Sequence, residues 1–185
     1  VIQPLIIPHS TNHTYTLEIY IHILQIYNPS KRNLTMTKQT TISKSVSLSG
    51  VGIHTGKKVK ITFKPAKANH GYAFSRVDLE GNPIINADAN LVVNTKRGTN
   101  LEKNGVNIQT SEHVLAALVG LEIDNVLIEI NASEPPIMDG SSIYFVEALL
   151  KAGIEEQDDE RYEYVVRENI TFIDEETGSE ITVIP

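Results

Sequence analysis

Apolar and polar positions begin to alternate in a regular way at Thr40. Ile42, Val46 and Leu48 lead into a turn-rich run, Ser49-Gly50-Val51-Gly52-Ile53-His54-Thr55-Gly56. After it, Val59, Ile61 and Phe63 alternate with Lys58, Lys60, Thr62 and Lys64 until Pro65. A period of two sends successive side chains to opposite faces, so this stretch reads as a half-buried strand with its lysines in water. Residues 72–77 and Ile84-Ile85 predict further strands, joined across the turn Glu80-Gly81-Asn82-Pro83. Two helices follow. The first covers 111–119, with Thr110 or Ser111 as cap, Val114, Leu115 and Leu118 as its apolar face and Gly120 as its stop. The second covers 142–152, with Ser141 as cap, Phe145, Val146, Leu149 and Leu150 as its buried stripe and Gly153 beyond it. Between them, the β-rich run 125–130 reads as an inner strand. Strands with two interspersed helices predict an α+β class: a two-layer sandwich, with a mixed sheet carrying both helices on one face.

The acidic run Glu155-Glu156-Gln157-Asp158-Asp159-Glu160 reads as a solvated linker. Beyond it, 162–166, 170–173 and 181–184 look like successive strands, with Glu175-Glu176-Thr177-Gly178 as a hairpin turn. A sheet begins there without a helix to cover it, so the chain reads as a fragment of a longer two-domain protein. The expected division is an extension at 1–37, a first domain at 38–155, an acidic linker at 156–161 and the truncated start of a similar second domain at 162–185. The extension differs in texture from the rest: it holds Pro4, Pro8 and Pro29, and an apolar stretch at 15–27 interrupted by Glu18 and His22. That stretch is too short and too polar to span a bilayer, and no secretory signal pattern precedes it. Met36 sits just before the regular pattern, which points to a natural start there, with 1–35 as upstream sequence or a disordered extension. A short extra strand at 17–26 is the alternative.

Composition narrows the classes of function. At 41% hydrophobic and 21% charged, the 185 residues can bury a real core. A formal net charge of −7 argues against nucleic acid as a partner, since phosphate binding needs clustered Lys and Arg. Local basic groups, Lys57, Lys58, Lys96 and Arg97, still admit an anionic small molecule. The absence of cysteine excludes disulfides and thiolate metal sites, so a transition metal would need His and carboxylate ligands. The absence of tryptophan weakens the case for a sugar-stacking surface.

The residues with most chemistry are Glu112 and His113, in the first turn of the first predicted helix, where unpaired N–H groups and the macrodipole create positive potential. A neutral imidazole there offers a lone pair to a metal, and a neighbouring carboxylate can take a proton from metal-activated water. Acids are also common in first helical turns for stability alone, so both readings stand. Gly50-Val51-Gly52-Ile53-His54-Thr55-Gly56 has glycines that let backbone N–H groups approach an anion, but it is neither a Walker loop nor a dinucleotide fingerprint. Pro136-Ile137-Met138-Asp139-Gly140-Ser141 can be a turn followed by a helix cap.

Taken in order, Gly-Val-Gly-Ile-His-Thr-Gly at 50–56, Thr-Ser-Glu-His-Val-Leu-Ala-Ala-Leu at 110–118, Ile-Asp-Asn-Val at 123–126 and Pro-Ile-Met-Asp-Gly-Ser at 136–141 resemble the UDP-3-O-acyl-N-acetylglucosamine deacetylases of lipid A biosynthesis. The resemblance covers 38–185. It implies two similar α+β domains, their helices packed between two outer sheets and the active site at their junction. It implies a cytoplasmic enzyme with one catalytic Zn2+ held by two His and one Asp. His113 matches the first of these ligands, and the other two, with the general acid His, belong to the second domain beyond Pro185. Glu112 matches the general base for water attack on the 2-acetamido carbonyl of UDP-3-O-(3-hydroxyacyl)-N-acetylglucosamine, with acetate leaving. His54 matches a loop His near the cleft. Thr99 lies in Thr95-Lys96-Arg97-Gly98-Thr99, where the family lines the substrate cleft, and both are expected on the substrate. Lys96 and Arg97 depart from the apolar residues of many members. The chain also resembles members fused to a hydroxyacyl-carrier-protein dehydratase, a domain expected downstream. No membrane insertion is expected. A non-catalytic nucleotide-sugar module and an inactive truncated product are the alternatives, and this chain by itself is expected to lack activity.

Overall fold

The computed structural model describes residues 37–185. The expected extension, its 17–26 strand and the Met36 start lie outside the described residues, apart from residue 37. In chain order come β1 (Lys38–Ile42), β2 (Val46–Val51), β3 (Lys58–Pro65), β4 (Tyr72–Arg76) and β5 (Ile84–Asn86). A 3-10 turn at Ala89–Leu91 leads to β6 (Val92–Asn94), β7 (Asn100–Lys103) and β8 (Val106–Ile108). Then follow α1 (Glu112–Gly120), β9 (Val126–Ile130), α2 (Ile143–Ala152), β10 (Ile154–Glu160), β11 (Ile170–Asp174) and β12 (Ser179–Val183).

The main sheet has five strands in the order β2-β3-β9-β4-β5. It is mixed, because β9 runs parallel to β4 and antiparallel to β3. Its two faces follow from the alternation in β3 and β9. Val59, Ile61 and Phe63, with Val126, Ile128 and Ile130, are buried in one apolar cluster that also holds Val114, Ala117 and Leu118 of α1 and Phe145, Leu149 and Ala152 of α2. The opposite face carries Lys60, Thr62, Lys64 and Glu129, with Lys64 Nζ 2.6 Å from Glu129 Oε1. The expected α+β sandwich, a mixed sheet with both helices on one face, is therefore the fold. Phe63 and Phe145 meet edge to face, with centroids 6.3 Å apart and planes at 73°, which joins sheet to helix.

Of the two predicted stops, Gly153 ends its helix, whereas Gly120 is the last residue of α1 and Leu121 is its C-cap. Gly153 terminates α2 at φ 76°, a conformation that favours glycine. Ser111 is the N-cap of α1, but its hydroxyl donates to Thr99 O at 2.9 Å instead of capping. Ser142 caps α2 in position only, its hydroxyl donating to His113 O at 2.9 Å. Ser141 Oγ accepts the Ile143 N–H at 3.2 Å.

Three elements differ from expectation. The acidic run 156–161, expected as a linker, continues as strand β10 through Glu160, antiparallel to β1. Main-chain pairing is indifferent to carboxylates that point into water, and charge on an exposed edge discourages further pairing. The pairing is anchored by amides: Gln157 Nε2 donates to Ala66 O and Asn125 Nδ2 donates to Gln157 Oε1, at 2.9 and 2.8 Å. The expected strand at 162–166 is not formed. Its residues Tyr162, Tyr164 and Val165 are exposed, so the apolar alternation there has no described layer to pack on. The hairpin beyond it is as expected, with β11 and β12 joined through 175–178. The three-stranded sheet β6-β7-β8 was not anticipated. Its tight turn, Asn104-Gly105 at φ 54° and 77°, has the residue types and backbone of a two-residue hairpin loop.

Phe145→Ala should lower the unfolding free energy by about 3–5 kcal/mol, since it removes a fully buried aromatic from the sheet–helix contact. Denaturant titration should show a lower midpoint at an unchanged slope.

Candidate active site

Glu112 and His113 open α1, as predicted, but what fixes them lies elsewhere in the chain. Glu112 Oε2 accepts the Thr99 N–H at 2.8 Å. Thr99 O in turn accepts from Ser111 N and Ser111 Oγ, at 3.1 and 2.9 Å. The start of α1 is thus buttoned to both backbone polar groups of Thr99, its N–H and its C=O. Glu112 Oε1, the other oxygen, lies 3.9 Å from His113 Nε2. The Glu112 and His113 side chains are 20% and 31% exposed, so both still face solvent in part.

His54 sits in the loop between β2 and β3. Its ring Nε2 is 3.1 Å from Arg97 O, and because a carbonyl can only accept, Nε2 carries the proton in this contact. Arg97 has φ 63° and precedes Gly98 at φ 148°. Thr99 is buried, and its Oγ1 has no hydrogen-bond partner among the described residues. Thr99 therefore touches Glu112 through its backbone, not through the hydroxyl that a substrate would meet.

The residue that organises this region was not singled out from the sequence. Glu134 is fully buried. Its Oε2 accepts from Thr55 N and Thr55 Oγ1, both at 3.0 Å. Its Oε1 accepts from Thr110 Oγ1 at 3.2 Å, and the His54 N–H is shared between the two oxygens at 3.1 Å. Burial pushes this carboxyl up, but the N–H groups of Thr55 and His54 and the hydroxyls of Thr55 and Thr110 outweigh it and hold Glu134 below its usual range. A Cβ on Gly52 would come within 2.4 Å of Glu134 Oε2 and 2.5 Å of Thr55 Oγ1, so the second glycine of the loop is required by this carboxylate. The first glycine has a different neighbour: a Cβ on Gly50 would meet Pro136 Cβ at 2.8 Å. Ile137 N also donates to Val51 O at 3.0 Å. The motifs at 50–56, 110–118 and 136–141 are in this way packed on one another. The fourth, 123–126, lies past the other end of α1, where Asn125 Nδ2 donates to Gln39 Oε1 and Gln157 Oε1, both at 2.8 Å. A lone acid before two prolines carries no periodic signal, which is why Glu134 was missed.

Among the described residues, no three His, Cys, Asp or Glu side chains converge on a metal position. No described helix is long and apolar enough to cross a membrane.

Residues 39–185 match the family model described as LpxC: UDP-3-O-acyl N-acetylglycosamine deacetylase. The chain belongs to this family. It is 51% identical over 150 residues to the "Bifunctional enzyme LpxC/FabZ" of Bacteroides thetaiotaomicron, covering 81% of this chain and 32% of that protein. The protein of the same name in Chlorobaculum tepidum is 48% identical over 147 residues, 80% of this chain and 32% of that protein. The "UDP-3-O-acyl-N-acetylglucosamine deacetylase" of Xanthomonas oryzae pv. oryzae is 50% identical over 122 residues, 66% of this chain and 40% of that protein. The chain thus spans about a third of the length of the first of these relatives.

Because its folded value is lowered, the stability contributed by Glu134 is fully present above the ordinary glutamate value of about 4.3 and is lost as pH falls through the folded value. Glu134→Gln should cost about 1–3 kcal/mol at neutral pH, since a buried amide cannot satisfy all these donors. The difference from wild type should narrow on acidification below about pH 4.3, read from denaturant midpoints across pH.

Proposed function

We propose that this chain forms part of a zinc-dependent deacetylase that hydrolyses the 2-acetamido group of UDP-3-O-(3-hydroxyacyl)-N-acetylglucosamine and releases acetate, the committed step of lipid A biosynthesis, in the cytoplasm. Membership of the deacetylase family supports the reaction. The observation that carries the assignment of roles is the Glu112–His113 arrangement, with one carboxylate oxygen anchored on Thr99 N–H and the other 3.9 Å from an imidazole nitrogen. A partly exposed imidazole nitrogen beside a carboxylate oxygen suits a zinc ligand and a general base, so the residues fit the metal. His113 would hold the zinc, together with two further ligands that the family resemblance assigns to the second domain.

When bound, zinc would supply Lewis-acid activation of water and of the substrate carbonyl. Glu112 takes the proton at Oε1, while the Thr99 N–H on Oε2 keeps the carboxylate oriented. His54, tied to Arg97 O, borders the cleft and contributes to substrate binding. Thr99 supports the site from its backbone. In domain terms, a first domain begins at 38, reaches through β10 and is followed from 162 by the start of a second, similar domain. The relatives named as bifunctional LpxC/FabZ enzymes support a dehydratase domain fused downstream.

In the full-length zinc-loaded protein, Glu112→Ala should lower kcat by about 10²–10⁴-fold while zinc stays bound. His113→Ala should lower zinc content by metal analysis. Wild-type turnover by Glu112→Ala would rule Glu112 out as the base. The 185-residue chain alone should show little turnover, and robust, chelator-sensitive activity from it would overturn the need for ligands from elsewhere.

A further inference from the structure

We propose that Glu134 is a positioning residue for the Glu112–His113 pair, acting through Thr110 and through the loop that carries His54. This rests on the reading of Glu112 as general base. No hydrogen bond joins Glu134 to Glu112 or His113, yet both routes from its carboxylate lead to the segment 97–99, whose Thr99 N–H holds Glu112.

The first route is Thr110. This β-branched residue has φ 51°, a strained left-handed conformation that persists only where its surroundings enforce it. Two hydrogen bonds do so: Thr110 Oγ1 donates to Glu134 Oε1, and Thr110 N donates to Asn100 Oδ1, both at 3.2 Å. Thr110 directly precedes Ser111, Glu112 and His113. Its φ sets the direction in which the chain enters α1, and with it whether Ser111 meets Thr99 O and Glu112 meets Thr99 N–H. If Thr110 relaxed to negative φ, the chain would leave that direction and both contacts would have to break.

The second route is the loop. Glu134 takes the N–H groups of His54 and Thr55, which fixes the backbone from which the His54 ring reaches Arg97 O, two residues before Thr99. The loop is shaped around the carboxylate to the point of excluding a Cβ at Gly52. A carboxylate suits this task because its two oxygens accept from all four donors at once, whereas an amide turns one N–H-bearing corner toward the His54 N–H. Glu134 with its donors His54, Thr55 and Thr110 thus forms one hydrogen-bonded set, with Gly52 leaving room for it, that fixes the loop reaching Arg97 O and the chain entering α1.

The test uses the full-length natural protein carrying Glu134→Gln, with amide hydrogen exchange on the metal-free form and steady-state kinetics on the zinc-loaded form. Thr99 N–H exchange should speed up at least about tenfold while amides of β3 and β9 stay at wild-type rates, because the perturbation is local. The kcat should fall by about 10–100-fold with KM changed less than about threefold. Glu134→Asp, which keeps the charge, should recover part of both. Added to Glu112→Gln, Glu134→Gln should cost little further kcat, since it acts through Glu112. Wild-type Thr99 exchange, or kcat within about twofold of wild type, would overturn the proposal. Should Glu134→Gln fail to fold, Thr110→Val removes the same hydrogen bond from the other side and must give the same Thr99 signature. If Glu112→Gln alone turns over like wild type, the general-base reading falls, while Thr99 exchange still decides the role of Glu134.

Discussion

A carboxylate sealed from water must be answered by donors from its own chain, and the arrangement around Glu134 follows from that requirement. Its hydrogen bonds come from neutral groups, two backbone N–H groups and two hydroxyls. Each donor has to be delivered within about 3 Å, so the loop after β2 must bring His54 and Thr55 inward and Thr110 must turn its hydroxyl the same way. The cost of leaving a buried charge unanswered is several kcal/mol, larger than the strain of one left-handed threonine. That comparison explains why Thr110 accepts φ 51° and why Gly52 carries no side chain. The unusual backbone here is the consequence of satisfying an anion.

The rest of the fold supplies a rigid frame for this cluster. Alternation in β3 and β9 commits one sheet face to the apolar core and leaves the other to lysines and Glu129. The helices lie over the committed face, and the Phe63–Phe145 contact pins α2 to it. Ser142, at the start of α2, donates to His113 O, which ties the two helix starts together. The side chains proposed for the chemistry sit at element ends and loops, while the strands and helices around them supply the apolar core. That is the usual division between scaffold and chemistry.

How much of this the sequence reveals depends on whether the signal is local. The period-2 pattern at 58–64 and the Gly153 stop are local and were readable. So was the hairpin at 175–178. Asn104-Gly105 was equally local and was passed over. Strand β10 could not be read from its own residues, because its pairing with β1 lies in main-chain bonds and in Asn125 and Gln157 meeting across the fold. The alternation at 162–166 misleads for the opposite reason: it is a local pattern without a described surface to bury against. In the site, Glu112 and His113 were visible through their helix position and the family motifs, but Glu134 was not. Its partners are Thr110, 24 residues before it, and His54 and Thr55, 80 and 79 residues before it.

The two glutamates of this region show how one residue type is turned to different ends by its donors. Glu134 has both oxygens saturated and no exposure, which fits it to hold structure and leaves no lone pair directed at a ligand. Glu112 has one oxygen fixed by Thr99 N–H, while the other faces His113 with part of the side chain still in solvent. A base needs this intermediate condition. An unanchored carboxylate would lose orientation, and a fully anchored one would lose its capacity to accept a proton. The same backbone segment, 97–99, receives the His54 ring and anchors Glu112, so the two glutamates are joined through one stretch of chain. Moving one carboxylate would therefore disturb the other even though no hydrogen bond runs between them.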